Sequence, residues 1–312
     1  MDPVTHGLTG AVLAQAGFRQ RYGYQATLAV TAGALIPDID VLWSPAGSVV
    51  ALETHRGLTH SLVGAIGLAV ALGLTVRLLG PEKRWALLSG LSLLGIVIGH
   101  LFMDLITSYG IQLFLPFSRS RPALDLVFII DPFLTVPLLA ALIAGFAWRR
   151  RSALIGRVAL GLVAGYLGFM AVNQFAAVST LDRVARSQGI VPRRIEALPE
   201  PFQPFRWRGF VEDGEHYWQG IVALERGEAD LVPIPKGPRN GPVARAEEVE
   251  AVKTFLWFAR FPVVTSREEG VRQVVEYTDL RFAHSFRRRP AFLLRVILGP
   301  GGVVEQVLFN PS

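Results

Sequence analysis

The sequence contains no cysteine among its 312 residues and has few charged side chains. The lack of cysteine excludes disulfide bonds and thiolate metal ligands, so any bound metal must be held by histidine, carboxylate or water. Charged residues make up 18% of the chain, whereas an ordinary soluble domain has about a quarter. They are scarcest between residues 60 and 181. This shortage predicts a membrane-embedded N-terminal half.

The net charge of +6 comes largely from short basic turns beside apolar segments. Examples are Arg19 and Arg21, Lys83 and Arg84, and the run at 149–151. No basic face with interleaved aromatic residues is present, which argues against nucleic acid as a partner. The first residues lack the basic region of a secretory signal, so we expect no cleavable signal peptide and insertion by internal spans.

Four apolar segments are candidates for membrane spans, since a spanning helix needs about 20 mostly apolar residues. They are 62–76, 85–103, 126–148 and 158–181. Asp2 and Pro3 predict the cap and first turn of an earlier helix that reaches Phe18. A second helix from Tyr24 is expected to stop at Pro37. Both are too short to cross alone, so we expect a re-entrant hairpin.

The tail, residues 182–312, has the composition of an ordinary soluble sequence, and its pattern predicts short strands. Segments 207–211 and 216–223 flank a turn at 212–215, which is a hairpin signal. Helical periodicity follows at 247–258, and further strands are expected at 271–277, 292–298 and 303–309. We therefore predict a mostly α-helical chain with a multi-span membrane domain at 1–181, a linker at 182–204 and a small α+β domain at 205–312. The metal site described next would lie at one face of the bilayer.

Histidine and aspartate residues accumulate in the least charged part of the chain. Ionisable groups near apolar spans are costly and usually face a site or a cavity. His100 and Asp104 are four residues apart, which places both on one face of a helix. Asp38 and Asp40 follow Pro37 and would point the same way if that stretch were extended. The full set is His6, Asp38, Asp40, His55, His60, His100 and Asp104.

Helix order is expected to bring these residues together. His6 opens the first helix, Asp38 and Asp40 close the second, and the remaining residues flank the first two spans. If successive helices run up and down, all these ends meet at the same membrane face, with side-chain ends within several ångströms of one point. The basic turns lie at the other ends, so the positive-inside rule places the site and the tail on the outer face of the inner membrane.

Nitrogen and oxygen ligands of this kind suit zinc, with manganese or iron as alternatives. The candidate metal ligands are His6, Asp40, His60, His100 and Asp104, and their number allows one ion or two. The candidate catalytic residues are Asp38 or His55, as general base or ligand of a second metal, and Arg56, which would balance an anionic substrate. His216 and His284 in the tail are expected to be surface or structural residues.

Four motifs together resemble the YdjM-type family of membrane-bound metal-dependent hydrolases. They are Thr5-His6, Pro37-Asp38-Ile39-Asp40, His55-Arg56-Gly57-Leu58-Thr59-His60-Ser61 and Gly99-His100-Leu101-Phe102-Met103-Asp104. The resemblance covers about residues 1–180 and implies a distant relationship to zinc-dependent phospholipase C and P1-type nucleases. It assigns metal ligation to His6, Asp40 or Asp38, His60, His100 and Asp104. A later His-x-x-x-Glu pair of those enzymes has no evident counterpart.

Three functions are consistent with these residues. The first is a membrane-bound metal-dependent hydrolase, with a phosphoester in a lipid or related small molecule as substrate. The second is a metal-binding transporter, for which only Asp131, Asn173 and Gln174 offer polar groups within the spans. The third is a membrane scaffold with a structural metal, in which the tail is an interaction module.

Overall fold

The computed structural model describes residues 1–44, 47–283 and 290–311 of the chain. Its first 187 residues are mainly helical, and the remainder forms two antiparallel sheets with two short helices. The predicted helical fold with a β-containing C-terminal region is therefore confirmed. His284 lies outside the described residues. The helices before the sheets are α1 (Pro3–Leu13), α2 (Arg19–Gly33), α3 (Val49–Thr54), α4 (Leu62–Val76), α5 (Trp85–Leu94), α6 (Met103–Leu105), α7 (Pro132–Ala147) and α8 (Ser152–Ser187).

Helices α1 and α2 form a hairpin. Asp2 caps α1 as predicted, because its side chain accepts a hydrogen bond from the Thr5 amide. Two glycines allow the chain to reverse. Gly17 lies between the helices and Gly23 at a break inside α2, and their φ values of 150° and 73° favour glycine. A Cβ atom added at Gly10 would lie 2.7 Å from the Ala34 Cβ, so the end of α2 packs directly on α1.

The stretch after α2 differs from its predicted extended form. A 3₁₀ helix covers Ile36–Leu42, with Pro37 in its first turn. Because a 3₁₀ helix has about three residues per turn, side chains two positions apart do not share a face. Asp38 and Asp40 therefore point in different directions, and Asp40 is 1% exposed while the side chain of Asp38 is 25% exposed.

Among the described residues, three helical stretches are long and apolar enough to cross a membrane: Leu62–Leu79, Trp85–Leu105 and Arg149–Ser187. The predicted span at 126–148 is wrong in extent, because its helix α7 begins only at Pro132, after the capping residue Asp131. With 16 residues α7 is about 24 Å long, which is less than the hydrocarbon core of about 30 Å. The second long stretch contains a π-helical segment at Gly95–Phe102.

The C-terminal sheets are both antiparallel. The elements are β1 (Arg194–Glu200), β2 (Gln203–Glu212), β3 (His216–Ala223), β4 (Glu228–Ala229), β5 (Val232–Pro235), α9 (Pro242–Ala246), α10 (Glu250–Phe258), β6 (Pro262–Glu269), β7 (Arg272–Asp279), β8 (Leu293–Leu298) and β9 (Val304–Phe309). In the first sheet the strands run in the order β1-β2-β3-β4, and β5 also pairs with β3. The predicted hairpin turn between β2 and β3 is confirmed. The second sheet has the order β6-β7-β8-β9.

The sheets pack closely against the helical part. One apolar core contains Leu134 of α7 and Leu167 of α8 together with Trp207 and Val222 of the first sheet. A second core joins the second sheet to α10 and to Leu52 of α3. The segment treated above as a linker forms the end of α8 and strand β1. The division into separate domains stays a prediction.

Charged contacts also join the two parts. Arg260 donates two hydrogen bonds to Asp125, at 2.8 and 2.6 Å. The Nη1 atom of Arg281 donates to the Ser108 carbonyl at 2.9 Å. Both partners, Asp125 and Ser108, belong to the irregular segment between α6 and α7. The tail is therefore seated on the end of the helical part that carries Asp104.

Candidate metal centre

Five elements bring the predicted ligands to one place. His6 lies in α1, His100 in the π-helical segment and Asp104 in α6. Asp38 lies in the 3₁₀ helix after α2, and His60 ends a 3₁₀ turn just before α4. His6, His60, His100 and Asp104 are each fully buried. π-Helical segments inside α-helices are frequent at functional sites, and this one positions His100.

Small residues allow this approach. A Cβ atom added at Gly99 would lie 2.7 Å from the Ala34 Cβ, so the π-helical segment touches the end of α2. The rings of His6 and His100 are stacked with centroids 3.9 Å apart. The contact through Gly99 thus determines where the neighbouring His100 lies relative to α1 and α2.

We expect that Gly99→Ala lowers the thermal unfolding midpoint and the metal affinity. The added methyl group meets Ala34, which has no flexible side chain to move, and overpacking of a core costs about 1–3 kcal/mol. Alanine normally favours a helix over glycine by about 0.5–1 kcal/mol. Gly90→Ala is the matched control, because a Cβ atom there meets nothing within 4 Å in α5. Equal behaviour of the two variants would contradict the packing argument.

Four of the side chains have the spacing of metal ligands. His60 Nε2 lies 3.5 Å from Asp38 Oδ1 and 3.4 Å from Asp104 Oδ2. His100 Nε2 lies 3.5 Å from Asp38 Oδ1 and 3.6 Å from Asp104 Oδ2. Ligands at about 2.0–2.2 Å around a tetrahedral zinc ion are separated by about 3.3–3.6 Å. These four residues, Asp38, His60, His100 and Asp104, form the cluster, and their ligand atoms lie within 4.8 Å of one another.

The Nδ1 atoms of His6, His60 and His100 contact oxygen atoms, which fix the orientation of each ring. His6 Nδ1 lies 2.8 Å from the Gly99 carbonyl, and His100 Nδ1 lies 2.7 Å from the Ala34 carbonyl. Carbonyl oxygens only accept, so each Nδ1 carries the hydrogen. His60 Nδ1 faces Thr59 Oγ1 at 3.0 Å and Asp40 Oδ2 at 3.3 Å. Each ring therefore presents its Nε2 lone pair to the centre when neutral, as in metal sites.

The centre of the cluster holds more acceptors than donors. His60 Nε2 and His100 Nε2 are only 2.9 Å apart. Within the described part of the chain, His6 Nε2 and Asp104 Oδ2 are buried without a hydrogen-bond partner. Buried polar atoms are normally paired, and unpaired ones call for an explanation. A divalent cation would satisfy all these lone pairs at once, so the residues fit a metal ion.

The same carboxylates affect the titration of His60. Burial opposes the charged form of this ring, but Asp104, Asp38 and Asp40 outweigh it and raise the pKa of His60 to about 9. The direction shows that the electric field of the cluster favours positive charge. A bound metal ion would take the place of that proton, because metal binding requires the neutral ring.

Asp40 lies beside this cluster and holds its neighbours in place. Its Oδ1 lies 2.9 Å from His55 Nδ1, and its Oδ2 accepts hydrogen bonds from the Arg56 amide and the Thr59 hydroxyl at 2.9 and 3.2 Å. Asp38, Asp40 and His55 also form a second group that could hold a metal ion. Asp38 belongs to both groups. The geometry thus places Asp38 in the four-residue cluster, where the sequence prediction put Asp40.

Arg56 connects the cluster to the tail. Its Nη2 lies 2.8 Å from Asp104 Oδ1, which also contacts the Met1 amino group. Its backbone φ is 59°, an uncommon conformation that is frequent at functional sites. The guanidinium lies 4.9 Å from the Tyr109 ring, which packs against Phe258. Sequence reasoning missed Tyr109 and these tail contacts, because no motif connects the two halves of the chain.

The remaining polar candidates lie away from the cluster. His216 is in β3 and contacts Trp218 and Asp213. Asp131 caps α7, while Asn173 and Gln174 donate to the Pro204 and Leu124 carbonyls. These groups are already paired with other atoms of the protein, so they offer little support for a polar path through the spans.

Apolar helices of spanning length and a buried cluster of histidine and aspartate define a membrane protein with a candidate metal centre. Residues 1–176 match the YdjM inner membrane protein family, and the chain belongs to that family. It is also similar to a Bacillus subtilis (strain 168) protein described as uncharacterized protein YfhP, with 26% identity over 297 residues. That match covers 90% of this chain and 87% of the relative. No solved structure matches the chain.

Proposed function

We propose that this chain is a metal-dependent hydrolase of the inner membrane that cleaves a phosphoester bond in a lipid or related amphiphile. The observation that carries the proposal is the arrangement of three histidine Nε2 atoms and two carboxylates around one buried centre. The distant relationship to zinc-dependent phospholipases that the sequence motifs imply is part of this proposal and motivates the choice of reaction.

His60, His100, Asp104 and Asp38 would hold the metal ion, with His6 as a further ligand. Zinc fits this set of nitrogen and oxygen donors, and manganese and iron are alternatives. When bound, such an ion lowers the pKa of water and polarises a phosphoryl oxygen. Of the four residues, only Asp38 has a partly exposed side chain, so substrate would approach from its side.

His55 is our candidate for the general base. Asp40 accepts the hydrogen of His55 Nδ1 at 2.9 Å, which leaves Nε2 with a lone pair. The side chain of His55 is 29% exposed, whereas His60 and His100 are fully buried. His55 Nε2 would take a proton from the attacking water as oxygen bonds to phosphorus. It would return that proton to the leaving alcohol oxygen when the phosphorus–oxygen bond breaks.

Arg56 would stabilise the anionic substrate. Arg56 is 3% exposed and its guanidinium is bonded to Asp104, so it cannot move far from the cluster. A fixed guanidinium beside a phosphoryl group offsets charge that develops in the transition state.

A second candidate function is a scaffold with a structural metal. It is favoured by the complete burial of His6, His60, His100 and Asp104, since structural sites are closed to substrate. The partly exposed Asp38 and His55 favour the hydrolase, because they leave one side of the cluster accessible. The location on the outer face of the membrane also remains part of the proposal, and protease accessibility of the tail from each side tests it.

We expect the detergent-purified protein to contain at least one zinc, manganese or iron ion per chain and to hydrolyse a member of a phosphoester panel. The panel would contain phospholipids, soluble phosphodiesters and phosphomonoesters. Chelation should remove the activity and the ion together, and adding the metal back should restore both. A chain that holds its ion but cleaves no ester would favour the scaffold.

A further inference from the structure

A partly open cavity lies between the cluster and the tail. Its volume is about 380 Å³ and it is lined at one end by His55 and Arg56. Pockets for small ligands usually measure about 300–1,000 Å³ and are mostly apolar with a few polar groups. The apolar wall here combines both halves of the chain: Val127 and Ile129 from the helical part, and Leu198, Phe282 and Phe292 from the tail.

Arg56, at the polar end of the cavity, is a charged side chain beside a mostly apolar wall. The Arg56 Nε atom is buried and has no hydrogen-bond partner within the described part of the chain. That atom does not face the open space of the cavity, so the positive charge of the guanidinium is what favours an anionic oxygen of a ligand. Arg281 and Arg208 also line the cavity. The three nitrogens of Arg281 are occupied by Asp279 and by the carbonyls of Ser108 and Phe258. Arg208 donates to the Ala283 and Arg281 carbonyls and pairs with Glu200. Arg56 is therefore the group that would bind an anionic oxygen.

We infer that this cavity binds the apolar group of a phosphate ester, with its phosphate beside His55 and Arg56 at the end next to the metal centre. The inference rests on the proposed function and specifies its substrate class, a phosphate ester whose apolar part is a single chain or a small ring system. The volume is at the lower end of the range for ligand pockets, so the cavity holds one such group.

The tail supplies half of this binding site. Leu198, Arg281, Phe282 and Phe292 all lie beyond residue 176, where the match to the family ends. Tyr109 links the two parts, since its ring packs against Phe258, Phe282 and Phe292. The C-terminal sheets therefore determine which ester is accepted, while the helical part carries out the reaction.

Calorimetry on the full chain in nanodiscs, loaded with zinc, tests the inference with hexyl phosphate and inorganic phosphate as probes. Each methylene group buried contributes about a fourfold gain in affinity, which is about 0.8 kcal/mol. We expect hexyl phosphate to bind at least tenfold more tightly than inorganic phosphate. Equal affinities within a factor of two, in protein that holds its metal, would overturn the inference and leave the metal centre intact.

Two cavity variants and one surface control test whether the alkyl group binds in this cavity. Ala291→Trp fills the cavity and should remove the preference for hexyl phosphate without changing metal content or the affinity for inorganic phosphate. Val271→Trp adds the same side chain at a turn residue that is 79% exposed, and this variant should bind hexyl phosphate like the wild type. Phe292→Ala enlarges the cavity and should shift the preference from hexyl to octyl phosphate. Unchanged chain-length preference in both cavity variants would refute the assignment.

The same assay distinguishes a membrane lipid from a soluble ester as the ligand of the cavity. Phosphatidic acid included in the nanodiscs should compete with hexyl phosphate if one acyl chain of a membrane lipid can enter the cavity. Absence of competition, with hexyl phosphate still bound tightly, would identify a soluble ester as the occupant. Loss of metal from the wild-type protein would instead refute the proposed function itself.

Discussion

Asp104→Asn is expected to abolish phosphoester hydrolysis and to remove the bound metal. Asp104 Oδ2 faces both His60 Nε2 and His100 Nε2, so the substitution removes a negative ligand from the centre of the cluster. Changes to residues that merely orient a ligand typically cost about 10- to 100-fold in metal affinity. Loss of the ligand itself should cost more, and activity should fall below detection.

The structure adds a complication to this variant. Asp104 Oδ1 also pairs with Arg56, and breaking a buried ion pair costs about 3–5 kcal/mol. Asp38→Asn is therefore the second variant, because Asp38 contacts the same two histidines but is partly exposed. Asp182→Asn is the matched control, since it removes the same charge from an exposed pair with Arg186.

Metal content and hydrolysis rate are measured on monodisperse protein for all three variants. The Asp104 and Asp38 variants should lose both properties, and the Asp182 variant should keep both. If Asp38→Asn and Asp104→Asn retained full metal content and full activity, the assignment of this cluster as the active centre would be wrong.

His55→Gln is expected to lower the rate of hydrolysis by about 100- to 10,000-fold, the usual contribution of a general base. Glutamine can still donate to Asp40 but has no nitrogen that accepts a proton near neutral pH. Because His55 lies outside the four-residue cluster, the first metal ion should stay bound.

Metal stoichiometry separates the two roles considered for His55. If it acts as general base, His55→Gln lowers the rate while the number of ions per chain is unchanged. If it is a ligand of a second ion held with Asp38 and Asp40, the stoichiometry falls by one. His216→Gln is the matched control, because His216 also lies beside an aspartate but far along the tail, in β3. A wild-type rate for His55→Gln would exclude both roles.

Local sequence signals predicted the elements that depend on nearby residues. The cap formed by Asp2, the start of α4 at Leu62 and the turn between β2 and β3 follow from short-range preferences. Apolar length predicted the spans at Leu62 and Trp85 for the same reason, since hydropathy is a property of consecutive residues. The predicted length of α7 was too great because the apolar run starts before Asp131, whereas Asp131 caps the N-terminus and the helix begins only at Pro132.

The seven candidate site residues could also be named in advance, because ionisable groups in an uncharged region are conspicuous. Their individual roles could not be predicted. Asp38 and Asp40 were expected to point the same way, and the 3₁₀ helix at Ile36–Leu42 separates them. Asp40 then bonds to His55 and the Arg56 amide, while Asp38 faces His60 and His100.

The sequence by itself determined that the N-terminal part belongs in a membrane and that histidine and aspartate gather there, because hydropathy and residue type are local properties. Only the tertiary structure decided which nitrogen of His6 and His100 faces the centre, since the Gly99 and Ala34 carbonyls that fix these rings are distant from them in sequence. It also placed the tail against Tyr109, whose ring lies beside Arg56. Contacts between segments more than 100 residues apart depend on how apolar surfaces fit together, and that fit leaves no periodic signal along the chain.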